Sequence, residues 1–142
     1  MGDIELIRYL DLEQVSVKGG DILKKIKKSD NSFIDFEEIY ISNIDFEFIK
    51  GWKKHNEMTL NLIVPSGDVQ FYFVNEDFSK SKKINIGEKN QIRLIVPPRI
   101  WFCFMGISKA PNLILNMASI EHDLNEVERI SIMDFPVDIS KI

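Results

Sequence analysis

One cysteine, two histidines and five prolines in 142 residues leave little material for several kinds of protein. The single thiol, Cys103, excludes an intrachain disulfide and any zinc site built from several thiolates. It lies in the apolar run Ile100-Trp101-Phe102-Cys103-Phe104, the setting of a buried small hydrophobe rather than of a reactive thiolate. No apolar run reaches the about 18 residues of a membrane span. The start, Met1-Gly2-Asp3-Ile4-Glu5, has neither the basic region nor the apolar core of a signal peptide, and Leu6, Ile7 and Arg8 do not fit a myristoylation motif. The expectation is a cytoplasmic protein without a membrane partner. A basic excess is missing too. The formal net charge of −4 argues against nucleic acid as a partner, although a local basic cluster could still hold one phosphorylated small molecule.

Strand signals dominate what is present. The apolar fraction of 44% and charged fraction of 28% suit a globular chain, and its length suffices for one domain with a core, expected over residues 1–142. Short β-branched and aromatic runs occur at Ile39–Ser42, Leu60–Val64, Val69–Val74, Lys82–Ile86, Asn90–Val96, Trp101–Met105 and Leu113–Ala118. Val69, Phe71 and Phe73 alternate as in a half-buried strand, and Ile92, Leu94 and Val96 repeat the pattern until Pro97-Pro98 ends it. Pro65-Ser66-Gly67-Asp68, between two strands, reads as a hairpin turn. Residues 20–28 read equally as a short helix, the only one expected, or as an irregular basic strand. Many short strands in one small domain point to a sandwich or barrel.

The segment Lys50-Gly51-Trp52-Lys53-Lys54-His55, followed by a strand and Val64-Pro65-Ser66-Gly67, resembles the first signature of the cupin superfamily. There, an H-x-H pair faces the interior of a jelly roll; this chain has Lys53-x-His55. The second signature falls on Pro97-Pro98-Arg99-Ile100-Trp101-Phe102, with Phe102 where a metal-ligating histidine would stand, and the expected glutamate falls near Leu60. A protonated amine, an alkyl chain and a phenyl ring offer a metal no lone pair, so no metal and no other cofactor is expected. The chain is further similar to metal-free sugar-nucleotide cupins typified by dTDP-4-dehydrorhamnose 3,5-epimerase, through Lys50-Gly51-Trp52, Val96-Pro97-Pro98 and the stretch from His122 to Ile130. That resemblance implies an all-β cupin jelly roll and a homodimer. It also implies an epimerase or isomerase acting on a nucleotide-activated 4-keto-6-deoxysugar in surface polysaccharide biosynthesis.

The family's motif residues do not transfer one by one. Its basic histidine falls on Lys53, its acidic tyrosine near Asn116 and its substrate-contacting lysine near Leu60. His55, on the same strand face as Lys53, is the base that remains, and imidazole is the usual base at neutral pH. A desolvated Lys53 would stabilise an enolate oxygen or act as an acid. Asn116 can donate to that oxygen but cannot return a proton; Tyr40 and Tyr72 are the nearest substitutes, with nothing in the sequence aiming either. A 3,4-ketoisomerisation, which moves a proton along one face, needs only the one base.

Bland readings stand beside these. Lys54, by parity, belongs to a solvated face. Lys50 and Arg93 suit a diphosphate, yet a lone strand arginine is more often solvent-facing. Trp52 and Trp101 could stack on a nucleotide base, and more often such rings fill a core. Asn61 and Asn116 interrupt apolar strands, as pocket-lining residues or as parts of a buried network. Glu128 and Arg129 read as part of a solvated loop or as salt-bridge residues. The expected site is therefore His55 and Lys53 for proton transfer, with Lys50, Trp52, Asn61, Arg93 and Asn116 binding a nucleotide-diphosphate sugar. A non-catalytic nucleotide-sugar- or carbohydrate-binding cupin is the alternative.

Overall fold

The computed structural model describes residues 2–142. In chain order the strands are β1 (Arg8–Asp11), β2 (Gln14–Val15), β3 (Ile22–Leu23), β4 (Glu38–Ile44), β5 (Ile49–His55) and β6 (Leu60–Ser66). They continue with β7 (Val69–Val74), β8 (Ser81–Ile86), β9 (Ile92–Val96), β10 (Trp101–Gly106), β11 (Asn112–Ala118) and β12 (Val127–Arg129). Among the described residues the only helical pieces are three single 3-10 turns, and none is long or apolar enough to cross a membrane. Residues 20–28 resolve in favour of the irregular strand: β3 pairs with β2.

Two five-stranded sheets face each other, ordered β1-β9-β6-β11-β4 and β12-β5-β10-β7-β8. From β4 to β7 and again from β8 to β12, each successive strand joins the opposite sheet. That winding makes the fold the expected jelly roll. The core between the sheets is built by alternation. Leu60, Leu62 and Val64 of β6, Phe71 and Phe73 of β7, and Ile92, Leu94 and Val96 of β9 point inward and are buried.

The turn at Pro65-Ser66-Gly67-Asp68 corrects one expectation. It is not a hairpin within a sheet, because β6 pairs with β9 and β11 while β7 pairs with β8 and β10. Gly67 has φ +81°, and an added Cβ would come within 2.6 Å of the Pro111 carbonyl oxygen. The Asp68 amide donates to Asn112 Oδ1 (2.9 Å), and Ser66 Oγ donates to the Pro111 carbonyl (3.0 Å). Those contacts aim the chain across the sandwich.

A second apolar cluster covers the outer face of the second sheet. Trp52, Tyr72, Val74, Trp101 and Cys103 are buried there under Phe135, with Ile130, Val137, Ile139 and Ile142 packed around them. The C-terminal segment thus closes a sheet face that would otherwise be wet.

Candidate functional site

The site grows from an irregularity in β5. The pairing of β10 with β5 slips between Phe102, opposite Lys53, and Cys103, opposite Gly51. Trp52 is the extra residue of this bulge. Gly51 permits it: its φ is +131°, and an added Cβ would lie 2.8 Å from Cys103 Cα and 2.9 Å from the Phe102 carbonyl oxygen. Strict alternation would put residues 50 and 53 on opposite faces. With the bulge, Lys50 pairs with Phe104 and Lys53 with Phe102, so Lys50, Lys53 and His55 share the inner face. The Lys50 ammonium reaches across the sandwich and donates to the Asn43 carbonyl oxygen of β4 (2.6 Å).

His55 is 3% exposed and points inward, its ring stacked near Phe102 with centroids 6.0 Å apart. Its Nδ1 meets Glu126 Oε1 in a short contact, while Glu126 Oε2 accepts the amides of Glu57 (3.1 Å) and Met58 (3.2 Å). Burial opposes ionisation of Glu126, but these hydrogen bonds outweigh it and hold the carboxyl below its ordinary range. An ionised carboxylate only accepts, so His55 carries its proton on Nδ1 and leaves Nε2 with a free lone pair. That Nε2 is buried and has no hydrogen-bond partner. Burial pushes the His55 pKa below its ordinary value; Glu126 pulls the other way, and the charge of Lys53 adds to the lowering. His55 is a neutral imidazole with its basic nitrogen unspent.

Lys53 lines a cavity of about 40 Å³ between the sheets, together with Tyr40, Leu60, Phe102, Phe104 and Asn116. Lys53, Leu60 and Phe102, the three residues standing at cupin ligand positions, thus converge on one space and offer no ligand to a metal. Among the described residues no carboxylate comes within ion-pair distance of the Lys53 ammonium. Burial first, and then the charge of Arg129, lower its pKa. Arg129 sits directly across from Lys53 on β12. From the opposite sheet, Tyr40 presents its hydroxyl, which accepts from Asn116 Nδ2 (2.9 Å). Burial raises the pKa of Tyr40 and keeps it a proton donor at neutral pH. Asn116 Oδ1 accepts the Asn61 amide (2.9 Å), so both ends of its side chain are engaged.

Other expected site residues lie elsewhere. Trp52 is 1% exposed and stacks on Phe135 at 4.0 Å, on the outer side of the second sheet, where it cannot receive a base. Tyr72 and Trp101 belong to the same outer cluster. Asn61 and Arg93 face away from the cavity, on the outer side of the first sheet; Arg93 Nη1 donates to Asn61 Oδ1 (2.9 Å). Lys54 faces outward as parity requires but is not solvated. It is buried, with its ammonium 2.9 Å from Glu128 and 3.1 Å from Glu76, over the Trp101 ring. Glu128 therefore pairs with Lys54 and not with its sequence neighbour Arg129, since adjacent strand residues point to opposite faces. Glu126 was missed by sequence reasoning: 71 residues separate it from His55. Its only local signal was an acidic residue within the His122–Ile130 stretch.

No family model and no curated protein matches the chain. Solved structures do. A dTDP sugar isomerase from Desulfovibrio desulfuricans G20 is 27% identical, with a TM-score of 0.84 over 89% of this chain and 85% of that one. The sugar 3,4-ketoisomerase QdtA from Thermoanaerobacterium thermosaccharolyticum, solved in complex with TDP, is 19% identical, with a TM-score of 0.76 over 90% of each chain. A dTDP-4-dehydrorhamnose 3,5-epimerase from Sulfolobus tokodaii is also 19% identical, with a TM-score of 0.78 over 92% of this chain and 81% of that one. At 19% the last two speak to the fold alone.

Proposed function

We propose that this chain, whose jelly roll is similar to those of a dTDP sugar isomerase and a dTDP-4-dehydrorhamnose 3,5-epimerase, transfers a proton next to the keto group of a nucleotide-activated 4-keto-6-deoxysugar, without a metal. The observation that carries this reading is the His55 imidazole, fixed through Nδ1 by Glu126 and left with an unpartnered Nε2 inside the sandwich. His55 Nε2 takes the proton from the carbon beside the carbonyl. The C–H electron pair forms the carbon–carbon double bond of the enolate as the carbonyl π pair moves to oxygen, and the Lys53 ammonium stabilises the enolate oxygen. The return of the proton decides the product. Protonated His55 returns it to the neighbouring carbon on the same face in a 3,4-ketoisomerisation. There the old carbonyl oxygen gains a proton and the neighbouring hydroxyl loses one as it becomes the new carbonyl. In an epimerisation, Tyr40, on the other sheet, gives its own hydroxyl proton to the same carbon from the opposite face; His55 then releases the abstracted proton to solvent and the phenolate takes one back. Tyr40, one of the two substitutes the sequence offered, takes this place beside Asn116, its hydrogen-bond partner.

A cavity of about 40 Å³ holds one water and not a sugar. Substrate entry in this reading requires Phe102, Phe104 and Lys53 to swing aside. Lys50, at the inner face of β5, and the exposed Arg129 are the groups proposed for the diphosphate. A homodimer through the outer face of β4 is part of the same proposal: Ile39 and Ile41 stand there exposed, on an edge strand. A role in surface polysaccharide biosynthesis would follow from the sugar. The test is incubation of a dTDP-4-keto-6-deoxysugar with the protein in heavy water, read by NMR. Deuterium at the carbons flanking the keto group supports the reading, and the product identifies which proton return operates. Measurable binding without label points instead to a cupin that only holds the nucleotide sugar.

A further inference from the structure

A larger cavity, of about 650 Å³, opens on the opposite side of the first sheet. Its floor is β1 and β9, where Leu10 pairs with Arg93 and Arg8 with Ile95. Its roof is the segment following β3, held by the Lys24 amide donating to the Glu13 carbonyl oxygen (2.8 Å) and by the turn in which the Lys27 amide donates to Asp30 Oδ2 (3.0 Å). Because Leu60 and Leu62 of β6 and Leu94 of β9 fill the inner side of the same sheet, this space is separate from the one lined by Lys53.

Arg93 gives the cavity its chemistry. The residue is 2% exposed, lines the space and is always charged. Its Nη1 donates to Asn61 and its Nη2 to Ser32 Oγ (2.5 Å), both neutral, and its Nε is buried with no partner. Among the described residues no carboxylate lies within ion-pair distance of it. A buried cation left without a counter-charge is strongly unfavourable. Around it stand Arg8, Lys24, Lys25 and Lys27. The acidic residues of the lining offset only part of this charge: Asp11, Glu13 and Asp30 stand against Arg8, Lys24, Lys25, Lys27 and Arg93, and the charge of Asp30, which reaches Arg93 without an ion pair, leaves the positive excess in place. Burial also lowers the pKa of Lys25, a sign that its ammonium is partly withdrawn from water.

We infer that this cavity is a second, accessory binding site for a phosphorylated small molecule, with Arg93 at its floor and Arg8, Lys25 and Lys27 closing on the phosphate. Its volume suits a small molecule. The overall charge of −4 disfavours a long polyanion, leaving a compact one. Planar guanidinium groups and mobile ammonium groups together match the several oxygens of a phosphate.

Inorganic pyrophosphate is the probe, titrated into the full chain at low ionic strength and followed by nitrogen–proton NMR. The expected result is saturable shifts at Arg93 Nε–H, at Arg8 and across residues 24–32, with an affinity that falls at least about tenfold in the surface double variant Lys25→Gln/Lys27→Gln. Arg93→Met removes binding as well, and the double variant keeps the test valid should Arg93→Met fail to fold. His55→Ala leaves the affinity unchanged. The inference is overturned by the absence of saturable shifts up to about 10 mM, by shifts confined to Lys50, Lys53 and Arg129, or by equal affinity in the double variant. It is also overturned if the residues 24–32 signals follow protein concentration instead of pyrophosphate, since a second copy of the chain would then occupy this face.

Discussion

Replacing Glu126 by glutamine changes one atom type and reverses the chemistry of His55. Glu126 receives three donors: the His55 Nδ1–H on Oε1, and the Glu57 and Met58 amides on Oε2. A glutamine side chain has only one acceptor oxygen. The two backbone amides are fixed by the β5–β6 corner and cannot turn, so they claim that oxygen. The amide nitrogen then faces His55 Nδ1 as a donor, and the imidazole meets it by moving its proton to Nε2. The base is lost although no atom has moved far. Exchanging one charge-assisted hydrogen bond for a neutral one costs about 1–2 kcal/mol of stability. Proton abstraction by the wrong tautomer falls about 10³–10⁴-fold, as wrong-tautomer substitutions do in acid–base dyads. Two assays read the change: nitrogen-15 NMR of the His55 ring, and the rate of deuterium wash-in to a dTDP-4-keto-6-deoxysugar. In the wild-type protein the acid limb of the rate profile lies below 6.5, the ordinary histidine value, because burial and Lys53 disfavour the imidazolium. Losing the Glu126 charge moves that limb lower still. A Glu126→Gln variant that keeps the Nδ1–H tautomer, or exchanges at the wild-type rate, would refute the assignment of Glu126 as the group that positions the base.

Acid stability should carry the signature of Glu76, whose carboxyl is held at about 2 chiefly by hydrogen bonds from Arg99, and further by Lys54. A depressed carboxyl stabilises the fold above its unfolded value near 4.5 and loses that contribution as pH falls towards 2. The loss is about 1 kcal/mol once the exposure of Arg99 is discounted, and urea midpoints over that window should drop less in Glu76→Gln than in the wild type. Gly67→Ala forces a Cβ against the Pro111 carbonyl at a positive φ and should cost about 2–4 kcal/mol, measured by chemical denaturation; a neutral result would contradict the turn geometry. Phe73→Ala empties a fully buried core site and should cost about 3–5 kcal/mol in the same assay while leaving pyrophosphate binding at the outer cavity intact.

Alternation made most strands readable, because Phe71/Phe73 and Ile92/Leu94/Val96 mark the inner face whatever sheet they join. What alternation lacks is the identity of the neighbouring strand. Pro65-Ser66-Gly67-Asp68 looks the same in a hairpin as in a crossing between sheets, and only the contact with Pro111 and Asn112, more than forty residues away, distinguishes them. Parity correctly separated Lys53 and His55 from Lys54, yet could not say that Glu76, Glu128 and the Trp101 ring would enclose that ammonium on the outer face. The Gly51 bulge, which brings Lys50 to the inner side, needed the pairing with β10 to be seen. For Asn61 and Arg93 the pattern was already sufficient: each sits between two inward-facing apolar residues, and so faces outward. The role of Glu126, and the choice of Tyr40 over Tyr72, could not be read because both arise from long-range closure of the roll.

Deuterium incorporation from solvent into a dTDP-4-keto-6-deoxysugar, compared between the wild-type protein and His55→Ala, bears most directly on the whole account. Label should enter a carbon beside the carbonyl with the wild type and fall to the uncatalysed rate once the imidazole is gone. Equal labelling by both proteins, or none by either in the presence of bound nucleotide sugar, contradicts it.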